Sequence, residues 1–189
     1  GIRPRDKLAT QCGLDVAPRG GIVINDTCQT SDPDIYAIGE CASWNNRVYG
    51  LVAPGYKMAQ VAVDHILETE NAFEGADLSA KLKLLGVDVG GIGDAHGRTP
   101  GARSYVYLDE SKEVYKRLIV SKDNKTLLGA VLVGDTSDYG NLLQLVLNAI
   151  ELPENPDSLI LPAHAGSGKP SIGVDKLPDS AQICSCFDV

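Results

Sequence analysis

Several features are scarce in this 189-residue sequence, and each scarcity removes a class of explanation. Positive charge is short: 17 Lys and Arg face 25 Asp and Glu, a formal net charge of −8. Such a chain offers no phosphate-neutralising surface overall, so nucleic acid and anionic membrane are not expected as partners. Aromatic residues make up only 5%, and the single tryptophan and seven tyrosines show no regular spacing of the kind that stacks bases. Long hydrophobic runs are missing as well. The apolar run at 127–133, broken only by Gly129, falls well short of the roughly 20 residues of a membrane-spanning helix. The first residues, Gly1-Ile2-Arg3-Pro4-Arg5-Asp6, hold no initiator methionine, apolar signal core or cleavage site, and read as the middle of a longer protein. No Gly-x-Gly-x-x-Gly opens a βαβ unit, so neither a flavin pyrophosphate site nor a nicotinamide dinucleotide site is expected.

Cysteine is present but irregular. Cys12, Cys28 and Cys41 are scattered, and Cys184 and Cys186 lie near the last residue. An odd count without a secretion signal argues against a disulfide framework and for a reducing, cytoplasmic compartment. A Cys-x-Cys pair can share a metal, but an iron–sulfur cluster needs four ligands, and only two stand here.

A hydrophobic content of 43% is enough to bury a core. Asp6 ahead of Lys7-Leu8-Ala9-Thr10-Gln11-Cys12, stopped by Gly13, predicts a short capped helix. Ile22-Val23-Ile24 and Ile35-Tyr36-Ala37-Ile38 read as strands, the second of the continuously apolar type that suits a sheet covered on both faces. Pro54 then opens a helix over 55–68, in which Met58, Val61, Ala62, His65 and Ile66 form one buried stripe. A polar connector at 71–79 suggests a boundary. Beyond it, 82–89, 104–108, 114–120 and 127–133 read as four strands, with turns at 109–111 and 122–125, and a helix follows over 139–150. The expected fold is therefore α/β in 1–74, α+β in 75–152 as a small antiparallel sheet with one helix, and a Pro/Gly/Ser-rich linker in 153–181. Residues 182–189 stand apart as the start of a further domain.

The most informative stretch runs from Gly21-Ile22-Val23-Ile24-Asn25 to Ile35-Tyr36-Ala37-Ile38-Gly39-Glu40-Cys41-Ala42. It places a glycine and then a carboxylate where an apolar segment ends. Gly39 permits close approach of a ligand, and a strand-end acid can accept hydrogen bonds from ligand hydroxyls. By itself such an acid also serves as a helix cap or surface charge. The stretch resembles the second flavin-binding motif of the pyridine nucleotide–disulfide oxidoreductases, flavoproteins with two dinucleotide-binding domains, whose usual form ends Tyr-Ala-x-Gly-Asp. The resemblance implies that Gly39 and Glu40 meet the ribityl chain of FAD, with glutamate one methylene longer than the family's aspartate. It also implies that the helix start at Val52-Ala53-Pro54-Gly55, with Ala53, Pro54 and Gly55 as contacts, points its free N–H groups at the flavin pyrimidine edge. These five residues would form part of an FAD site. The plain alternative is a core helix.

Residues 82–152, including Tyr115-Lys116-Arg117-Leu118 and Leu128-Gly129-Ala130-Val131-Leu132-Val133-Gly134-Asp135, resemble the small C-terminal domain of rubredoxin-reductase-like flavoproteins. Residues 180–189 resemble the opening of a bacterioferritin-associated-ferredoxin-like domain, which implies that Cys184 and Cys186 are two of four [2Fe-2S] ligands. The order of these parts is similar to the large subunits of NAD(P)H-dependent, sirohaem-containing nitrite reductases. That family implies electron flow from NAD(P)H through FAD, [2Fe-2S] and [4Fe-4S] centres to sirohaem, where nitrite becomes ammonium. It also implies the rest of the same polypeptide and a small subunit as partners, with a homo-oligomer possible in principle, and a catalytically inert isolated fragment. Two other readings remain: a flavin-dependent reductase of a rubredoxin or ferredoxin carrier, and a non-catalytic docking module at 80–152. Gly91-Ile92-Gly93-Asp94-Ala95-His96-Gly97 reads as a loop, because Pro100 and Gly101 follow where a dinucleotide-binding helix is required. Gly166-Ser167-Gly168-Lys169-Pro170-Ser171 fails as a phosphate loop because proline follows the lysine. His65, His96 and His164 lack companions at metal-ligand spacing.

Overall fold

The computed structural model describes residues 2–162 and 177–181, and the chain divides into two compact units after Leu78. The first unit contains α1 (Lys7–Gln11), β1 (Ile22–Ile24), β2 (Ala42–Trp44), β3 (Arg47–Val48) and α2 (Val52–Ile66). β2 lies centrally, parallel to β1 with Ile22 opposite Ala42, and antiparallel to β3. Ile24, Cys28, Ala37, Ala42, Tyr49 and Phe73 bury against Met58, Val61 and Ala62 of α2, so the 3.6-residue apolar period of that helix becomes its core face. Ile66, expected on this stripe, is exposed instead. Cys12, Cys28 and Cys41 are free thiols, and burial pushes the Cys28 thiol up to about 11.

Two local expectations give way here. Asp6 makes no side-chain cap on α1; its carboxylate accepts the Gly21 N–H at 2.7 Å and ties the helix to the following turn. Residues 35–38 do not form a buried strand. They bond on one side only, through the Thr30 N–H to the Ile35 carbonyl and the Ala37 N–H to the Cys28 carbonyl, around a single bridge of Gln29 with Tyr36. A 3₁₀ turn at Gly39–Cys41 then redirects the chain, and the residues that pair with β1 are those after the turn.

The second unit is an antiparallel sheet of five strands: β4 (Ala80–Leu84), β5 (Val87–Gly93), β6 (Arg103–Asp109), β7 (Val114–Val120) and β8 (Leu127–Val133). Their order is β4-β5-β8-β7-β6. One face carries Ile92, Leu118, Val120, Ala130 and Leu132, covered by Leu142 and Leu145 of α3 (Tyr139–Leu147). The expected strand at 82–89 is in fact two strands. Leu85 and Gly86 turn the chain between them with φ of 50° and 89°, the positive pair that a two-residue hairpin requires. Gly91–Gly93, expected in a loop, complete β5, and the loop begins at Asp94. α3 stops three residues before its expected end, where Ala149 takes φ 48°. Within the expected linker, Pro156–Leu159 form a 3₁₀ turn, and Leu159 and Ile160 bury in the core. Proline and serine content concealed a segment whose apolar residues seal the sheet.

Candidate functional site

The candidate flavin residues meet where the 3₁₀ turn Gly39–Cys41 packs against the first turns of α2. Gly39 has φ 75°, a left-handed conformation that costs a residue with a Cβ about 1 kcal/mol. Its N–H donates to the Met58 Sδ at 3.3 Å. Across from it, a Cβ built on Gly55 would lie 3.4 Å from the Gly39 Cα, so the two glycines let turn and helix approach closely. The position that a Cβ on Gly39 would take has no neighbour within 4 Å. The turn therefore presents bare backbone to an open space.

α2 starts at that same contact. Its N-cap Leu51 is extended and supplies no side-chain cap. Pro54, buried in the first turn, has no N–H to leave unpaired, while the Val52 and Ala53 N–H groups precede the first i→i−4 bonds. With the helix dipole behind them, these donors suit a carbonyl or anionic edge. Glu40 is exposed and has no hydrogen bond or ion pair among the described residues, so its carboxylate can accept from ligand hydroxyls. Gly39, Glu40, Ala53, Pro54 and Gly55 are thus brought to one small region. Cys184 and Cys186, like His164 and 166–171, lie outside the described residues.

Two arrangements escaped the sequence. The Tyr36 hydroxyl and the His65 Nδ1 are 2.6 Å apart, which locks the 35–38 segment to α2. His65 on the helix stripe was the signal, but its partner was not legible. Among the described residues no three His, Cys, Asp or Glu side chains are grouped to hold a metal. In the second unit Lys116 is buried, and its Nζ donates to Asp135 Oδ2 and Asp138 Oδ2, each at 2.6 Å. A lysine at a position alternating with Leu118 and Val120 was its only trace.

Residues 1–65 match the pyridine nucleotide-disulphide oxidoreductase family, and residues 79–150 match the rubredoxin NAD+ reductase C-terminal domain. Over all 189 residues the chain is 96% identical to the nitrite reductase (NADH) large subunit of Escherichia coli (strain K12), and 57% identical to the nitrite reductase [NAD(P)H] large subunit of Klebsiella oxytoca. The chain is a relative of nitrite reductase large subunits along its whole length. It spans 22% and 20% of those two proteins, about a fifth of each. A solved FAD-dependent pyridine nucleotide-disulphide oxidoreductase from Desulfovibrio vulgaris superposes with a TM-score of 0.55 at 26% identity, over 74% of this chain and 37% of that one. The fold class expected from the strand and helix pattern, and the resemblances to flavoproteins and to nitrite reductase large subunits, are thereby shown. No helix among the described residues is long and apolar enough to cross a membrane.

Proposed function

We propose that this chain is part of the electron-input module of a cytoplasmic NAD(P)H-dependent nitrite reductase, where it completes an FAD site. The observation that carries the reading is the Gly39–Gly55 contact, which sets bare backbone and an unpaired carboxylate beside the uncapped start of α2. Glu40 accepts hydrogen bonds from the ribityl hydroxyls. The Val52 and Ala53 N–H groups meet the pyrimidine edge, and Pro54 and Gly55 shape that turn. Bound FAD would supply the change from two-electron hydride chemistry to one-electron transfer. This chain's residues position the group and favour negative charge on its ring. Onward passage through iron–sulfur centres to sirohaem, with Cys184 and Cys186 as cluster ligands, belongs to the same proposal. So do a small-subunit partner and a homo-oligomeric parent.

The test uses the full-length parent enzyme. Glu40→Ala should lower the flavin retained after gel filtration at least about tenfold, equivalent to losing about 1.4 kcal/mol of binding, while Glu40→Asp retains it. Gly39→Ala should cost about 1 kcal/mol of stability and also release flavin, because its methyl enters the open space. Full flavin content in all three variants refutes the site.

A further inference from the structure

The turn Gly39–Cys41 is stiff within itself. The Ala42 N–H donates to the Gly39 carbonyl, and the Cys41 thiol donates to the Ile38 carbonyl at 3.4 Å. Its attachment to α2 is looser. The contact of Gly39 with Gly55 interlocks no side chains, and the Met58 thioether that takes the Gly39 N–H is a weak acceptor. Upstream, the backbone bonds of Ile35 and Ala37 run to Cys28, Thr30 and Asp32, and none of these reaches the helix. The strong directional bond between this segment and α2 lies at the far end, where the Tyr36 hydroxyl and the His65 Nδ1 are 2.6 Å apart, with the two rings 5.8 Å apart and tilted by 57°.

Both partners of that bond are held in place. His65 stands in the last turn of α2, and the helix end is braced beside it: the Asp64 carbonyl accepts the Thr69 N–H and hydroxyl, each at 2.8 Å, while the Asp64 carboxylate accepts from Gln60 at 2.8 Å and Asn71 at 2.6 Å. The Tyr36 ring packs against the core of the first unit. The spacing also matches. Met58 and His65 lie two helical turns apart on one face, about 10 Å, and the three residue steps from Tyr36 to Gly39 cover about 10 Å when extended. Ile38 is extended, with φ −135° and ψ 158°, and Ala37 is buried in the same core cluster as Ala62, which lies between Met58 and His65 along the helix. Residues 36–39 therefore run along α2 as a strap fastened at both ends. A slip of one residue would break the Tyr36 bond and carry Glu40 about 3 Å along the helix.

We infer that Tyr36 and His65 are positioning residues for the flavin: their hydrogen bond sets the register of residues 36–39 along α2, and with it the place where Gly39 and Glu40 meet the ribityl chain. The inference rests on the FAD site proposed above. The experiment measures, on the full-length parent enzyme, the FAD dissociation constant, the reduction potential of the bound flavin and the melting temperature. Tyr36→Phe removes one oxygen and keeps the ring in the core, His65→Leu removes the other partner, and His65→Asn keeps a donor and an acceptor near the Nδ1 position. Tyr36→Phe and His65→Leu should each weaken FAD about fivefold, and the double variant no further than either alone. The flavin that stays bound should have a lower reduction potential, because it is held less closely to the donors at the start of α2 that favour negative charge. His65→Asn should restore both affinity and potential. Variants that melt earlier but keep wild-type affinity and potential overturn the inference, as do additive losses or an asparagine variant no better than the leucine one. Should His65→Leu fail to fold, Tyr36→Phe decides alone, with unchanged affinity and potential overturning the role. Glu40→Ala in the same assay separates the two readings: loss of flavin there without loss in Tyr36→Phe removes the positioning role and leaves the site, whereas wild-type affinity in both removes the site and the role together.

Discussion

Lys116 shows how a single residue can govern the acid and alkaline limits of a unit. Its ammonium is buried at the end of α3 nearest Asp138, and two carboxylates compensate it. Burial works against charge on Asp135, but the bonds from Lys116 and Ser137 outweigh it and hold the carboxyl well below the usual carboxylate range. Burial likewise opposes charge on Lys116, and the bonds to Asp135 and Asp138 overcome it, raising its pKa above 10.5. A depressed carboxyl stabilises the fold above its unfolded value near 4, and that contribution is lost as pH falls below it. A raised ammonium stabilises below its unfolded value and is lost as pH climbs past it. Stability of the second unit should therefore be flat from about pH 5 to 9 and decline on both sides. Lys116→Met leaves the carboxylates without their cation and should cost about 3 kcal/mol at pH 7, with the acid decline flattened. Urea unfolding across pH 3 to 11 checks both; a variant as stable as the wild type at pH 7 refutes the role.

At the scale of elements, the β4–β5 hairpin joins two strands through a pair that only half suits it. Gly86 is at ease at φ 89°, whereas Leu85 holds φ 50° with its side chain 97% exposed. Asparagine tolerates that conformation and exposes no apolar surface, so Leu85→Asn should stabilise the unit by about 0.5 to 1 kcal/mol. Thermal melting that falls rather than rises contradicts the hairpin geometry. The same residue explains a failure of legibility. Leucine carries no turn signature, so 82–89 read as one strand, while the turns at 109–111 and 122–125, rich in Asp, Ser, Lys and Asn, were visible. β1 was legible as a short apolar run beside the Gly20-Gly21 turn, and the Met58–Val61–Ala62 face of α2 because its period reports burial directly. The 35–38 segment was not, since an apolar run records the wish for burial without naming a partner. Glu40 was found by resemblance to a motif; the Gly39–Gly55 contact, which depends on a helix passing the turn, could not be read from spacing.

At the scale of the whole molecule, the acidic charge and the exposed apolar surface act against each other. α2 and its C-cap residue Leu67 carry a second stripe, Val52, Tyr56, Val63, Ile66 and Leu67, at helical spacing and 49% to 72% exposed. The Tyr36 N–H and C=O and the Ile38 N–H, turned away from the Gln29 bridge, have no hydrogen-bond partners among the described residues. An apolar stripe with an unpaired backbone edge in the same unit favours association. The net charge of −8 opposes it at low ionic strength. Salt should tip the balance: light scattering on the 189-residue chain should report near-monomeric mass in about 0.02 M salt and a rising mass in about 0.5 M, where the Debye length falls to a few ångströms. Val63→Lys with Ile66→Lys should keep the chain monomeric in both, with unchanged helical circular dichroism, because both side chains already face solvent. A wild type that stays strictly monomeric at high salt would show that the stripe and the open edge are too weak to recruit a neighbour.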